Sequence, residues 1–171
     1  MLLRIFFIVR RIFRVLVRVP APPQPAPVPR DRKDTAKKPA LSGAAIQARI
    51  GTLPEAKVVL VMDGDTVIVA EGWGETRIRL DSIDCPEDGQ DWGDTATYGL
   101  IKLIGGRRVR LEKHGLDDYG RTLATIYVGD ANGDWVNVNE RMVTLGHAWV
   151  MRRYYDHLPD DRKAKLNRLE A

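Results

Sequence analysis

Arg79, Asp84 and Glu87 lie within nine residues of one another in RIRLDSIDCPE, and an Asp63-Gly64-Asp65-Thr66 turn precedes them. Asp65 and Asp84 are hard oxygen donors of the kind a divalent cation takes, whereas Glu87, past Pro86, can face the same cleft as a base without being a ligand. A guanidinium such as that of Arg79 offers a planar pair of donors to a phosphate. A second one, Arg121, ends the turn Asp117-Asp118-Tyr119-Gly120-Arg121. Two acids for a cation, a third for a proton and two arginines for an anion make a set suited to phosphodiester hydrolysis.

Each piece alone has an ordinary explanation. Most Asp-Gly turns between strands are only turns, because Gly supplies positive φ and Asp bonds the backbone. An acid after Pro is commonly a surface residue, and a lone Arg commonly pairs with a surface Asp. The five residues in order are another matter, and with them the chain resembles the staphylococcal nuclease (thermonuclease) family, whose pattern DGDT, R-x-x-L-x-x-[IV]-D-x-P-E and D-x-Y-G-R is met over roughly Lys57 to Tyr155.

That resemblance implies an OB-fold barrel and a Ca²⁺ ion held by the side chains of Asp65 and Asp84 and the backbone carbonyl of Cys85. Arg79, Glu87 and Arg121 are its implied catalytic residues, and Tyr119 and Tyr154 its implied substrate contacts. Single-stranded or frayed DNA and RNA are the implied partners, cleaved to leave 3′-phosphate ends. Degenerate barrels of this kind also bind nucleic acid or protein without cutting, but such copies lose carboxylates or arginines that this chain keeps. No feature calls for an obligate protein partner.

The elements that must position these groups follow from periodicity. Lys57–Met62, Thr66–Ala70, Glu75–Ile83, Arg107–Glu112 and Thr122–Val128 read as strands, with Arg77 and Arg79 on one face of the third and Ile78 and Leu80 on the other. Ala96, Leu100 and Leu103 give a helix over Trp92–Ile104, and Val138, Met142, Leu145 and Trp149 a second, capped by Asn137. A third begins after Pro159. Five short strands and about three helices give an α+β class, which the resemblance sharpens to a five-stranded OB-fold barrel.

With 171 residues, 44% hydrophobic and 29% charged, the chain supports one globular domain. The single cysteine, Cys85, excludes an internal disulfide, and no Cys/His pattern supports a nucleophilic thiol. His114, His147 and His157 show no metal-ligand spacing.

Charge divides the chain sharply. Residues 1–50 hold 11 Lys and Arg against 2 Asp and Glu, which leaves 16 basic and 21 acidic residues beyond, so +9 sits on the first stretch and −5 on the rest. Anything the globular part binds through phosphate is therefore drawn by local arginines and a cation rather than by a general positive field. In residues 1–19 the arginines at 4, 10, 11, 14 and 18 fall within an arc of about 120° on a helical wheel, as in a basic amphipathic helix suited to an anionic membrane surface. A cleaved targeting peptide and a translated segment with no folded role are the alternatives. Residues 20–50, with six prolines between 20 and 29, read as an extended linker, and 51–171 as the catalytic domain. The expected setting is membrane-associated or exported, with the catalytic domain outside the cytoplasm.

Overall fold

The computed structural model describes residues 42–171, so the basic segment 1–19 and most of the expected linker lie outside the described residues. The folded part opens earlier than the linker reading places it, with helix α1 over Gly43–Gly51. Ser42 caps it by accepting from the Ala45 amide at 3.3 Å, Ile50 is buried, and Gln47 makes two hydrogen bonds with the backbone of Trp135, at 2.6 and 3.2 Å. Two isoleucines four residues apart were the helix's whole apolar signal, and its anchoring partner lies 88 residues away.

After α1 come β1 (Glu55–Val61), β2 (Thr66–Glu71), β3 (Gly74–Leu80), β4 (Ile83–Asp84), α2 (Gly93–Ile104), β5 (Arg108–Leu116), β6 (Thr122–Gly129), β7 (Trp135–Asn137), α3 (Val138–Thr144), β8 (Trp149–Val150) and α4 (Asp160–Glu170). Antiparallel pairing gives the order β3-β2-β1-β5-β6, and a parallel pairing of Ile78–Leu80 with Thr122–Ala124 closes the barrel. This is the five-stranded OB-fold. Closure removes both sheet edges, and the alternating residues Val67, Val69, Ile78, Leu80, Val109, Leu111, Ala124 and Ile126, none more than 1% exposed, fill the interior. Removing the Leu80 side chain to Ala would cost about 2–5 kcal/mol at such a site.

Two expected elements are cut short. The third strand stops at Leu80, because Ser82 takes φ 64° and turns the chain before Ile83–Asp84 resumes as β4. The second helix has its Asn137 cap, which accepts from the Glu140 amide at 3.1 Å, but ends at Thr144, where Gly146 at φ 71° reverses the chain. Leu145 is consequently 43% exposed, and Trp149 belongs to β8 instead of the helix, paired with Asp84. The ladder Ile83↔Val150 and Asp84↔Trp149 thus ties the acid end of the second motif to the chain leading into α4.

Candidate active site

The carboxylates come together through a turn that only glycine permits. Asp63 Oδ1 accepts from the Asp65 amide at 3.0 Å, and a Cβ on Gly64 would lie 2.8 Å from the Cβ atoms of both Cys85 and Ala96. The turn therefore packs directly on Cys85 and α2. It delivers Asp65, 7% exposed, into a nest where Thr66 Oγ1 donates to Oδ1 at 3.0 Å and the Cys85 amide donates to Oδ2 at 3.3 Å. The thiol of Cys85 is buried, and burial and the surrounding carboxylates push its ionisation far up, so it acts as filler rather than nucleophile.

Arg79 lies between the two acids. Its Nη1 is 2.9 Å from Asp65 Oδ2, and its Nη2 is 2.5 Å from Asp84 Oδ1. A further Nη1 bond to the Ile83 carbonyl at 3.1 Å fixes the guanidinium against the β4 turn. Burial pushes the Asp65 carboxyl up to about 7; Arg79 opposes this, while Asp63 and Asp84 add to it. Buried Asp65 and part-exposed Asp84 converge on one guanidinium, and with both ionised they carry one more negative charge than it neutralises. An all-oxygen pair with such an excess fits a hard divalent cation.

Glu87 is exposed on the loop after β4, and its backbone is held more firmly than its side chain. Its amide donates to Gln90 Oε1 at 3.0 Å, and its carbonyl accepts from the Gln90 amide at 3.0 Å. Gly93, at the start of α2, lets the helix abut it: a Cβ there would be 2.3 Å from the Glu87 carbonyl oxygen.

Arg121 is positioned by its own turn. Asp117 accepts from the amides of Tyr119 and Arg121, each at 2.9 Å, and from Arg121 Nε at 2.6 Å, while Gly120 takes φ 77°. Against a desolvation cost, these bonds hold Asp117 below the usual carboxylate range. Among the described residues no partner takes the two Nη groups of Arg121, which leaves them for an external anion. Arg79, Arg121, Tyr119 and Tyr154 line one cleft of about 370 Å³. Tyr119 and Tyr154 are 85% and 55% exposed at its rim, and the Arg121 guanidinium lies 5.3 Å from the Tyr119 ring. Arg79 is the joint between this cleft and the carboxylate pair; Asp65, Asp84 and Glu87 are not part of the cleft wall.

Several site residues had no sequence signal. Asn139, 3% exposed, accepts from the Ile126 amide at 3.0 Å and donates to the carbonyls of Asp81 and Ala124 at 3.0 and 3.1 Å, which staples α3 to β6 and to the turn after β3. Two of the scattered histidines also converge: His157 Nε2 is 2.8 Å from Asp81 Oδ2, and the His114 and His157 ring centroids are 5.0 Å apart. His147 lies elsewhere, against Gly99 of α2.

The fold is thus a closed five-stranded OB-fold barrel that carries paired acids and two arginines. The pattern described as Staphylococcal nuclease homologue matches residues 77–171, more than half of the chain, and the chain belongs to that family. It is 41% identical over 98 residues to an uncharacterized endonuclease of Escherichia coli O157:H7, a match covering 57% of this chain and 61% of that protein. It is 36% identical over 122 residues to a micrococcal nuclease of Shigella flexneri (64% and 70% of the two chains). A probable staphylococcal-like nuclease of rice shares 34% identity over 122 residues, 69% of this chain and 30% of that one. The chain thus spans about three fifths of the length of the E. coli relative.

Proposed function

We propose that this chain is a Ca²⁺-dependent nuclease that hydrolyses phosphodiester bonds of single-stranded or frayed DNA and RNA. The observation that carries the reading is the placement of one guanidinium, that of Arg79, against both Asp65 and Asp84 and in the wall of the cleft that holds Arg121. Family membership and nuclease-named relatives support it.

Asp65, Asp84 and the carbonyl of Cys85 are the groups to hold the cation, which when bound supplies charge neutralisation for the substrate phosphate. Glu87 takes a proton from the attacking water as its oxygen bonds to phosphorus. The bond to the 5′ oxygen breaks, that oxygen takes a proton from solvent water, and the phosphate stays on the 3′ side. Arg121, with both Nη groups available, and Arg79 stabilise the added charge of the five-coordinate transition state. Tyr119 and Tyr154 present ring faces on which a base or sugar rests without sequence preference.

The test is incubation of the full chain with single-stranded DNA and RNA in Ca²⁺, in Mg²⁺ and in chelator, followed by end-group analysis. Cleavage in Ca²⁺ with 3′-phosphate ends is expected, and Glu87→Gln, still folded, should lose about 10²-fold or more in turnover. Near-normal turnover in that variant, or full activity in chelator, removes the mechanism.

We place residues 1–19 at an anionic membrane surface, on the +9 charge of the first 50 residues, and the catalytic domain outside the cytoplasm, on its proposed dependence on Ca²⁺. Each basic residue near such a surface adds about 1 kcal/mol, screened by salt. The full chain should co-sediment with vesicles containing anionic lipid, and loss of residues 1–41 should abolish this while cleavage persists. Indifference of the full chain to such vesicles sinks the anchor.

A further inference from the structure

Beside the carboxylate pair is a second cluster of different chemistry. Asp81 Oδ2 lies 2.8 Å from His157 Nε2 and 3.9 Å from His114 Nε2, and one donor atom from each of the three residues lies within 4.8 Å of the others. Each comes from a different part of the fold: Asp81 from the turn after β3, His114 from β5, and His157 from the segment before α4. A four-coordinate zinc centre with bonds of about 2.0–2.1 Å needs donors about 3.3 Å apart, so the widest gap closes with a shift of at most about 1.5 Å. His157, at 39% side-chain exposure, is free enough to make it.

We propose that Asp81, His114 and His157 form a transition-metal site for an ion of the Zn²⁺ class, separate from the hard-cation site of Asp65 and Asp84. Two imidazoles and one carboxylate are a borderline donor set, which favours Zn²⁺ or Co²⁺ over Ca²⁺. Ser82 Oγ donates to Asp81 Oδ2 at 2.9 Å, and Asp81 is 2% exposed, so this carboxylate is held in place. His114 Nε2, 3.0 Å from Thr125 Oγ1, exchanges that hydrogen bond for the ion on ligation. Arg162 is the nearby charge opposed to a cation, and it is paired with Glu112 at 3.2 Å.

Three protein donors leave a coordination position. Asp81, His114 and His157 all line the cleft of Arg121 and Tyr154, so that position faces the same space as the arginines. A phosphate oxygen of a bound strand, or water, completes the shell. The ion would also clamp the segment before α4 to the barrel.

The experiment is titration of the full chain with Zn²⁺, and with Co²⁺ followed by its visible absorption. Saturable binding of one ion that Ca²⁺ does not displace, with a tetrahedral Co²⁺ band, is expected. His157→Gln should weaken it at least ~10-fold, as loss of a shell residue does, and His114→Gln/His157→Gln, checked for fold by circular dichroism, should abolish it. Asp65→Asn and Asp84→Asn should leave it intact. Absence of saturable Zn²⁺ binding in the wild type, or unchanged affinity in the folded double variant, overturns the site; so does loss of binding in Asp84→Asn alone. Because the readout is metal affinity, it stands apart from any outcome for the nuclease reading.

Discussion

Asp81 and Asp84 are separated by two residues, yet they face different chemistry. Asp84 meets the guanidinium of Arg79 at 2.5 Å and, through it, Asp65; Asp81 meets imidazoles and a serine hydroxyl. A regular strand would also send residues three apart to opposite faces. Here the left-handed turn at Ser82 does more, since it breaks the strand and lets Asp84 restart in a new ladder with Trp149. One six-residue stretch, Arg79–Asp84, so supplies an oxygen-only cluster on one side and a mixed nitrogen–oxygen cluster on the other. Acids of the same type close in sequence need not share a role.

The sharpest way to break this contrast is to neutralise one acid at a time. Asp84→Asn removes one of two carboxylates from the oxygen cluster, and Ca²⁺-dependent cleavage should fall by roughly 10²-fold, on the scale of losing a stabilising group in the transition state. His157→Gln should leave cleavage in Ca²⁺ alone within a few-fold. Equal losses in the two variants would show that the clusters act as one.

A smaller effect should appear in stability without metal. The folded-state pKa of Asp65 is raised to about 7 from 3.8, so between those values the folded chain holds a proton the unfolded chain has released. This group's contribution is therefore fully present at low pH and lost as pH rises through 7. In chelator, the wild-type unfolding temperature should decline between pH 5 and pH 8 more than that of Asp65→Asn. Parallel declines would remove the burial argument. Least of all should Cys85→Thr matter: activity within a few-fold is expected, because the amide and carbonyl rather than the thiol have roles, and a folded but inactive variant would count against that.

How much of this was legible depended on distance along the chain. Asp65, Glu87 and Arg121 stand in or beside turns and Arg79 and Asp84 at strand ends, each within a short motif of adjacent residues, and the β-branched runs and the Asn137 cap are local too. The misses are long-range. The α1 helix is held by Trp135, Trp149 was drawn from the helical pattern into a two-residue ladder with Asp84, and His157 meets Asp81 across 76 residues. Nor could spacing show that Asn139, an unremarkable polar residue on α3, satisfies one amide and two carbonyls around the β3 turn. Partners of that kind exist only once the barrel closes.

The contact between Gly93 and the Glu87 carbonyl has a genetic corollary. Every amino-acid change reachable from a glycine codon by one base substitution adds a Cβ or ends the chain, and an atom there would stand 2.3 Å from that oxygen. A carbonyl within rigid backbone cannot swing aside as a side-chain tip can. Any such change at codon 93 therefore forces the Glu87 backbone or the start of α2 to shift, and the loop bearing Glu87 is guarded by a residue with no chemistry of its own.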